Sequence, residues 1–212
     1  MKLKILVTGA NGQLGSCFYN IMNNHNDYSF TFFSKETLDI SRIDAIEEVL
    51  TLNKPHIIIN CAAYTNVQKA ESHKNEAKEV NDIGVKNLVE MCEKFKIKLI
   101  HFSTDFIFDG NNSIPYSENS HPNPINYYGL SKLNGEKHII NSNLNNSLIM
   151  RVSWLYNLNA KNNFVNKIIE KAKSSKLIKT SISPSVSGGN ISKPILTNSD
   201  CNDCICSIIK GS

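Results

Sequence analysis

The chain has 212 residues, 41% of them hydrophobic and 20% charged, with a formal net charge of +4. That is the mix of an ordinary globular protein, long enough to bury roughly 70% of its unfolded surface without disulfide or metal staples. Its 21 lysines are scattered rather than clustered, which argues against nucleic-acid binding, and no stretch approaches the ~18 apolar residues of a membrane-spanning helix.

From the first residue the pattern alternates strand and helix. "KLKILVT" (2–8) is a β-branched apolar strand, followed by a helix over 13–24. "YSFTFF" (28–33) is a second strand. A helix over 43–53 is stopped by Pro55, and "HIIINCAA" (56–63) is apolar throughout, as a parallel strand covered on both faces should be. Two helices are predicted over about 67–80 and 82–95. "IKLIHFS" (97–103) is a fourth strand, 127–141 a helix, "SLIMRVS" (147–153) a fifth strand and 162–174 another helix, with "KLIKTSI" as a sixth strand. Repeated βα units predict an α/β fold with a doubly wound parallel sheet of Rossmann type. The expected organisation is a dinucleotide-binding and catalytic domain over 1–156, then a small, incomplete substrate-binding region over 157–212. Two Pro/Asn/Ser/Gly-rich stretches, 109–126 and 180–194, break the rhythm. The first, 18 residues long, should hang over the carboxyl edge of the sheet, where such folds bind ligands.

The opening "MKLKILVTGANG" does not read as a signal peptide, so a cytoplasmic setting with reduced cysteines is expected. Cys201-x-x-Cys204 has no second Cys pair to complete a zinc site. Together with Ile205, Ile208 and Ile209 it reads as an apolar helix stripe, ahead of metal or redox chemistry. The histidines show no ligand spacing, and no metal is expected.

The chemistry begins with Gly9-x-x-Gly12-x-x-Gly15, between the first strand and its helix. Such glycines let the backbone approach a pyrophosphate that sits on the helix N-terminus. Ser103 and Thr104 fall at the carboxyl end of the fourth strand, where hydroxyls can donate to a substrate carbonyl. Tyr128 and Lys132 are four apart on a helix and share a face. Tyrosine ordinarily titrates near 10, too high for ready proton exchange at neutral pH, and a neighbouring ammonium is expected to lower that value. Lys132 can also hold nicotinamide ribose hydroxyls. After the second strand, Ser34 and Lys35 offer a hydroxyl and a cation for a 2′-phosphate, while nearby Glu36 offers the acid that would bind a free 2′-hydroxyl. NADPH is the expected reductant, with NADH as the alternative.

On "ILVTGANGQLGS", "LDIS", "INCAAYTNVQKAES", "LIHFSTDFIFDG", "IPYSENSHPNPINYYGLSKLNGE" and "RVSWLY", the chain resembles the extended short-chain dehydrogenase/reductases, and more narrowly the dTDP-4-dehydrorhamnose reductase family. The resemblance implies Thr104, Tyr128 and Lys132 as a catalytic triad. It places Gly9, Asn11, Gly12, Gln13, Leu14 and Gly15 at the pyrophosphate and Asp39 and Ile40 beside adenine. Ala62, Ala63 and Tyr64 fall at the adenosine and nicotinamide ribose, and Ser103 and Trp154 by the sugar, though Trp154 also fits a packing role. It implies reduction of the C4 keto group of a nucleotide-linked 6-deoxyhexose. Family members usually run to about 280–300 residues, so sugar specificity, and a homodimer or second subunit completing the cleft, are left open. The alternative is a non-catalytic dinucleotide-binding regulatory subunit of the same fold, for which an intact Thr/Tyr/Lys set has no use.

Overall fold

The structure, a computed structural model, describes residues 2–21, 27–145, 147–153 and 155. Five strands form one parallel sheet among these residues: β1 (Leu3–Thr8), β2 (Tyr28–Phe33), β3 (Ile57–Asn60), β4 (Lys98–Thr104) and β5 (Leu148–Val152). Their order is β2-β1-β3-β4-β5. The chain steps outward from β1 to β2, then crosses back to β3, so the order reverses between β1 and β3. At such a switch point the loops leaving two adjacent strands diverge and open a crevice at their carboxyl ends.

Side-chain alternation sorts the helices. Leu6, Ile58 and Leu99 face one side of the sheet. There they pack with α2 (Ile43–Asn53), α5 (Gly84–Phe95) and α6 (Tyr127–Ile140) through Ile46, Leu50, Val85, Leu88, Cys92 and Ile139. Phe102, one strand position out of phase with Leu99, faces the other side and meets Phe18 of α1 (Gln13–Ile21) edge-on, ring centroids 6.3 Å apart. Helix α2 ends at Lys54, which turns left-handed (φ 47°) and returns its N–H to Leu50 just before Pro55.

The strand and helix order expected for the described residues is present, with two differences. β3 stops at Asn60, because the next amides turn aside to side chains rather than to the ladder: the Ala62 N–H reaches Asn60 Oδ1 at 3.2 Å. The helices expected over 67–80 and 82–95 break elsewhere. Short α3 (Val67–Ala70) and α4 (Lys74–Lys78) are separate, while α4 runs on through a π-helical turn (Glu79–Ile83) into α5. Asn81 and Asp82, at the expected boundary between the two helices, are buried with partners here. The last helix, the sixth strand, Trp154 and the Cys201–Cys204 stripe lie outside the described residues.

The chain divides into two compact units, one of residues 1–108 and 122–152, the other of 109–121 with 153–212. The described loop of the second unit is organised by its own side chains. Tyr116 donates to Asp109 Oδ1 (2.7 Å), which also accepts the Asn111 N–H (3.0 Å). Among the described residues no helix is long and apolar enough to cross a membrane.

Candidate active site

The loop after β1 is pressed against the loop after β3. Gly9 has φ 64°, and a Cβ on it would stand 2.6 Å from the Ala62 nitrogen and 2.7 Å from the Cys61 carbonyl oxygen. A Cβ on Gly15 would lie 2.3 Å from the Gly9 carbonyl oxygen. Side chains are therefore excluded where the turn enters α1, and the helix N-terminus, with its positive dipole end, stays open to an anion. Asn11 and Gly12 are exposed; Gln13 and Leu14 begin α1 half-buried. Such a cradle at the switch point of a parallel sheet fits a dinucleotide pyrophosphate.

The turn after β2 borders this loop, because the Ala10 N–H donates to Phe33 O at 3.0 Å. Lys35 is exposed there. Ser34 Oγ lies 2.5 Å from Glu36 Oε2, and that hydrogen bond holds the Glu36 carboxyl below its usual range. Cation and acid thus share one turn. Asp39 is half-buried and accepts from the Ser41 N–H and hydroxyl (3.0 and 2.8 Å). Ile40 points its side chain into the core and gives its carbonyl to Asn87, at 3.1 Å. Only its backbone is left to flank a base. Ala62, Ala63 and Tyr64 follow β3, half-buried. Asn81, on the π turn, clamps Tyr64 by both backbone groups, accepting its N–H at 2.9 Å and donating to its carbonyl at 3.0 Å.

At the end of β4, the Thr104 hydroxyl donates to Asp105 Oδ1 and accepts the Phe106 N–H, each at 3.2 Å, near the phenol of Tyr128, whose pKa it lowers. The N-terminus of α6 comes close enough for this because residue 129 is glycine: a Cβ there would lie 2.1 Å from Phe106 O. Asn126 caps the helix, its Oδ1 accepting the Gly129 N–H at 2.8 Å. Tyr128 is 9% exposed and meets the Phe106 ring edge-on at 5.7 Å. Ser103, beside Thr104, is buried, and its Oγ is the one buried side-chain polar atom without a partner among the described residues. Such an orphan is costly in a finished core and reasonable where a ligand completes the bonding.

Lys132 shares a helix face with Tyr128, as its spacing predicts, but its amine runs elsewhere. Nζ donates to Phe102 O at 2.6 Å and lies 3.2 Å from His101 Nε2. Burial pushes its pKa down to about 8, against the opposing charges of Glu136 and Cys61. The expected lowering of Tyr128 is not found. Burial raises the phenol's pKa, the Thr104 hydroxyl lowers it, and Asp105 raises it further. Lys132 is not among the groups that shift the phenol; its amine is engaged by Phe102 O and faces His101.

The predicted residues of the nucleotide side and of the proton-transfer side therefore gather at the carboxyl edges of β1, β3 and β4. Sequence reasoning passed over Thr8, Asn60, His101, Asn81 and the fully buried Glu136, which Arg151 grips through Nε and Nη2 at 3.1 and 2.8 Å. A signal was present for three of them, as lone polar residues at the ends of, or within, otherwise apolar strands.

Comparison with known proteins bears on the same surface. The RmlD substrate binding domain family matches residues 2–181. A dTDP-4-keto-6-deoxy-D-glucose reductase of Streptomyces niveus is 34% identical over 77% of this chain and 56% of its own length. A dTDP-4-dehydrorhamnose reductase of Aggregatibacter actinomycetemcomitans is 35% identical over 80% of this chain and 57% of its own. Among solved structures, the dTDP-4-dehydrorhamnose reductase of Bacillus anthracis in complex with NADP superposes with a TM-score of 0.77 and 39% identity, covering 82% of this chain and 61% of that one. The chain spans a little over half the length of these curated relatives.

Proposed function

Because this chain belongs to the RmlD substrate binding domain family, we propose that it carries the cofactor site and proton-transfer groups of an NADPH-dependent reductase. The reductase acts on the C4 keto group of a nucleotide-linked 6-deoxyhexose and turns dTDP-4-dehydrorhamnose into dTDP-L-rhamnose. Similarity to enzymes named for this chemistry, one of them solved with NADP, supports the reading. Its setting is the cytoplasm.

NADPH, when bound, supplies the hydride. The Gly9–Gly15 loop, with Asn11, Gln13 and Leu14, holds the pyrophosphate against α1. Lys35 meets the 2′-phosphate, with NADH as the weaker alternative. Asp39 and the Ile40 backbone flank adenine, and Ala62, Ala63 and Tyr64 border the riboses. As hydride reaches C4, the carbonyl oxygen gains charge and needs a proton. Tyr128 gives it, and Thr104 holds the phenol and the oxygen in line. Lys132 holds the ribose hydroxyls. Ser103 and Trp154 are assigned to the sugar.

The observation that carries this reading is the buried Ser103 Oγ left without a partner, beside Thr104 at the carboxyl end of β4, among the described residues. The test is to mix the chain with NADPH and dTDP-4-dehydrorhamnose and follow nicotinamide absorbance. Loss of absorbance with one alcohol formed per NADPH consumed is expected. Tight NADPH binding with no turnover would favour a non-catalytic dinucleotide-binding subunit instead.

A further inference from the structure

Thr8, Asn60 and His101 stand side by side in register across β1, β3 and β4, and all three are buried. Their donors and acceptors can be assigned in turn. The Ala62 N–H is an unconditional donor and lies 3.2 Å from Asn60 Oδ1. Thr8 Oγ1 donates to the same oxygen at 2.7 Å and shares the Ala62 N–H, accepting it at 3.3 Å. Turning the amide over would set Nδ2 against that N–H, so Asn60 directs Nδ2–H at His101 Nδ1, 3.0 Å away. Nδ1 must accept. An imidazolium would put two donors face to face there, and burial holds His101 well below its usual range. The neutral ring therefore carries its single proton on Nε2. Nε2 in turn lies 3.2 Å from Lys132 Nζ. An ammonium has three donors and no acceptor, so it cannot pair with Nε2–H. An amine can accept that proton and still donate to Phe102 O.

We propose that Thr8, Asn60 and His101 form a tautomer lock that disfavours the ammonium form of Lys132 in the ligand-free protein, which makes His101 a positioning residue for the Lys132 proton. That this proton serves a reductase rests on the function proposed above; the lock itself does not. Other groups also face Lys132. Glu136, from the same helix, favours the ammonium and works against the lock, although its carboxylate is also gripped by Arg151. Burial keeps the Cys61 thiol, at the end of β3, protonated. Burial likewise keeps Tyr128 neutral. Ribose hydroxyls arriving with a dinucleotide bring acceptor oxygens, and Lys132 then takes a proton from solvent.

The test uses the full chain without cofactor. In ¹⁵N-histidine-labelled protein, two-bond proton–nitrogen couplings report the tautomer of His101, whose signals are identified by their loss in His101→Gln. In ¹³C-lysine-labelled protein, the Lys132 ε-carbon, identified by its loss in Lys132→Arg, is titrated with pH. The expected results are an Nε2–H tautomer and a Lys132 midpoint that rises at least about one unit, a tenfold gain in proton affinity, in His101→Gln. That variant can turn an amide oxygen toward Nζ. An Nδ1–H tautomer in the unmodified protein, or identical midpoints in the two proteins, overturns the lock. The tautomer needs no variant, so it decides even if His101→Gln misfolds. Failure of NADPH to bind in calorimetry would overturn the reductase reading alone.

Discussion

Asn81→Ala removes a side chain that is 1% exposed and makes three hydrogen bonds. It accepts from the Tyr64 N–H at 2.9 Å and donates to the Tyr64 carbonyl and Ser131 Oγ, each at 3.0 Å. Ser131 Oγ keeps its bond to Tyr128 O at 2.7 Å, so its loss is small. The two Tyr64 backbone groups have no such substitute. A buried polar group left unpaired costs about 1–3 kcal/mol. Tyr64 is only half-buried, so water recovers part of this, and a total near 3 kcal/mol is expected. For a protein of this size that lowers Tm by about 6–12 °C. Urea unfolding followed by circular dichroism measures the stability change, and calorimetric titration with NADPH measures the effect on the loop that Asn81 holds. A stability loss below about 1 kcal/mol, or an unaltered NADPH affinity, would refute the view that this amide fixes the loop after β3.

Tyr128→Phe keeps the ring and removes the acid, so turnover should fall by about 10²–10⁴-fold with little change in NADPH affinity; steady-state rates plus a binding titration check this. Lys35→Ala should weaken NADPH more than NADH, and equal losses in parallel titrations would place Lys35 away from the 2′-phosphate. Lys132 gives a pH signature. Its folded pKa of about 8 lies below its ordinary value of 10.5, so between those values the unfolded chain binds more protons and stability rises with pH. The Cys92 thiol, pushed up from 9.0 to about 12 by burial, works the other way only above 9. Between pH 7 and 9 the gain from Lys132 should be about 1 kcal/mol. Urea midpoints of the unmodified chain and Lys132→Met should diverge by that amount over this window.

What could be read from sequence was what depends on local pattern. Apolar runs such as those around Ile58 and Leu99 fixed strands buried on both faces, and alternation with helices fixed their parallel direction. Gly9-x-x-Gly12-x-x-Gly15 located the turn into α1. Tyr128 and Lys132 announced a shared face, but spacing carries no information about where a long side chain ends. That depended on which β4 carbonyl lies beneath α6. The expected helices left Asn81 between them, and its partner 17 residues away, Tyr64, could not be read from local pattern. The row Thr8, Asn60, His101 needed the strand order before it could exist at all. Trp154 and the segments after residue 155 lie outside the described residues, so their reading stands as sequence alone.

The π turn at Glu79–Ile83 has a consequence for insertions and deletions. A π turn holds one residue more than the α-helical turn it replaces. Removing a single residue between Glu79 and Ile83 would let α4 and α5 join as one regular α-helix, locally the easier structure to form. It would also rotate everything on one side of the cut by about 100° relative to the other. If α5 kept its packing under the sheet, Asp82 could no longer meet His138 at 2.7 Å while the residue before it still faced Tyr64. Lineages that lost the extra residue would gain a smoother helix and lose the tether between the loop after β3 and helix α6. At this turn the number of residues, independently of which side chains occupy them, decides whether both partners can be met.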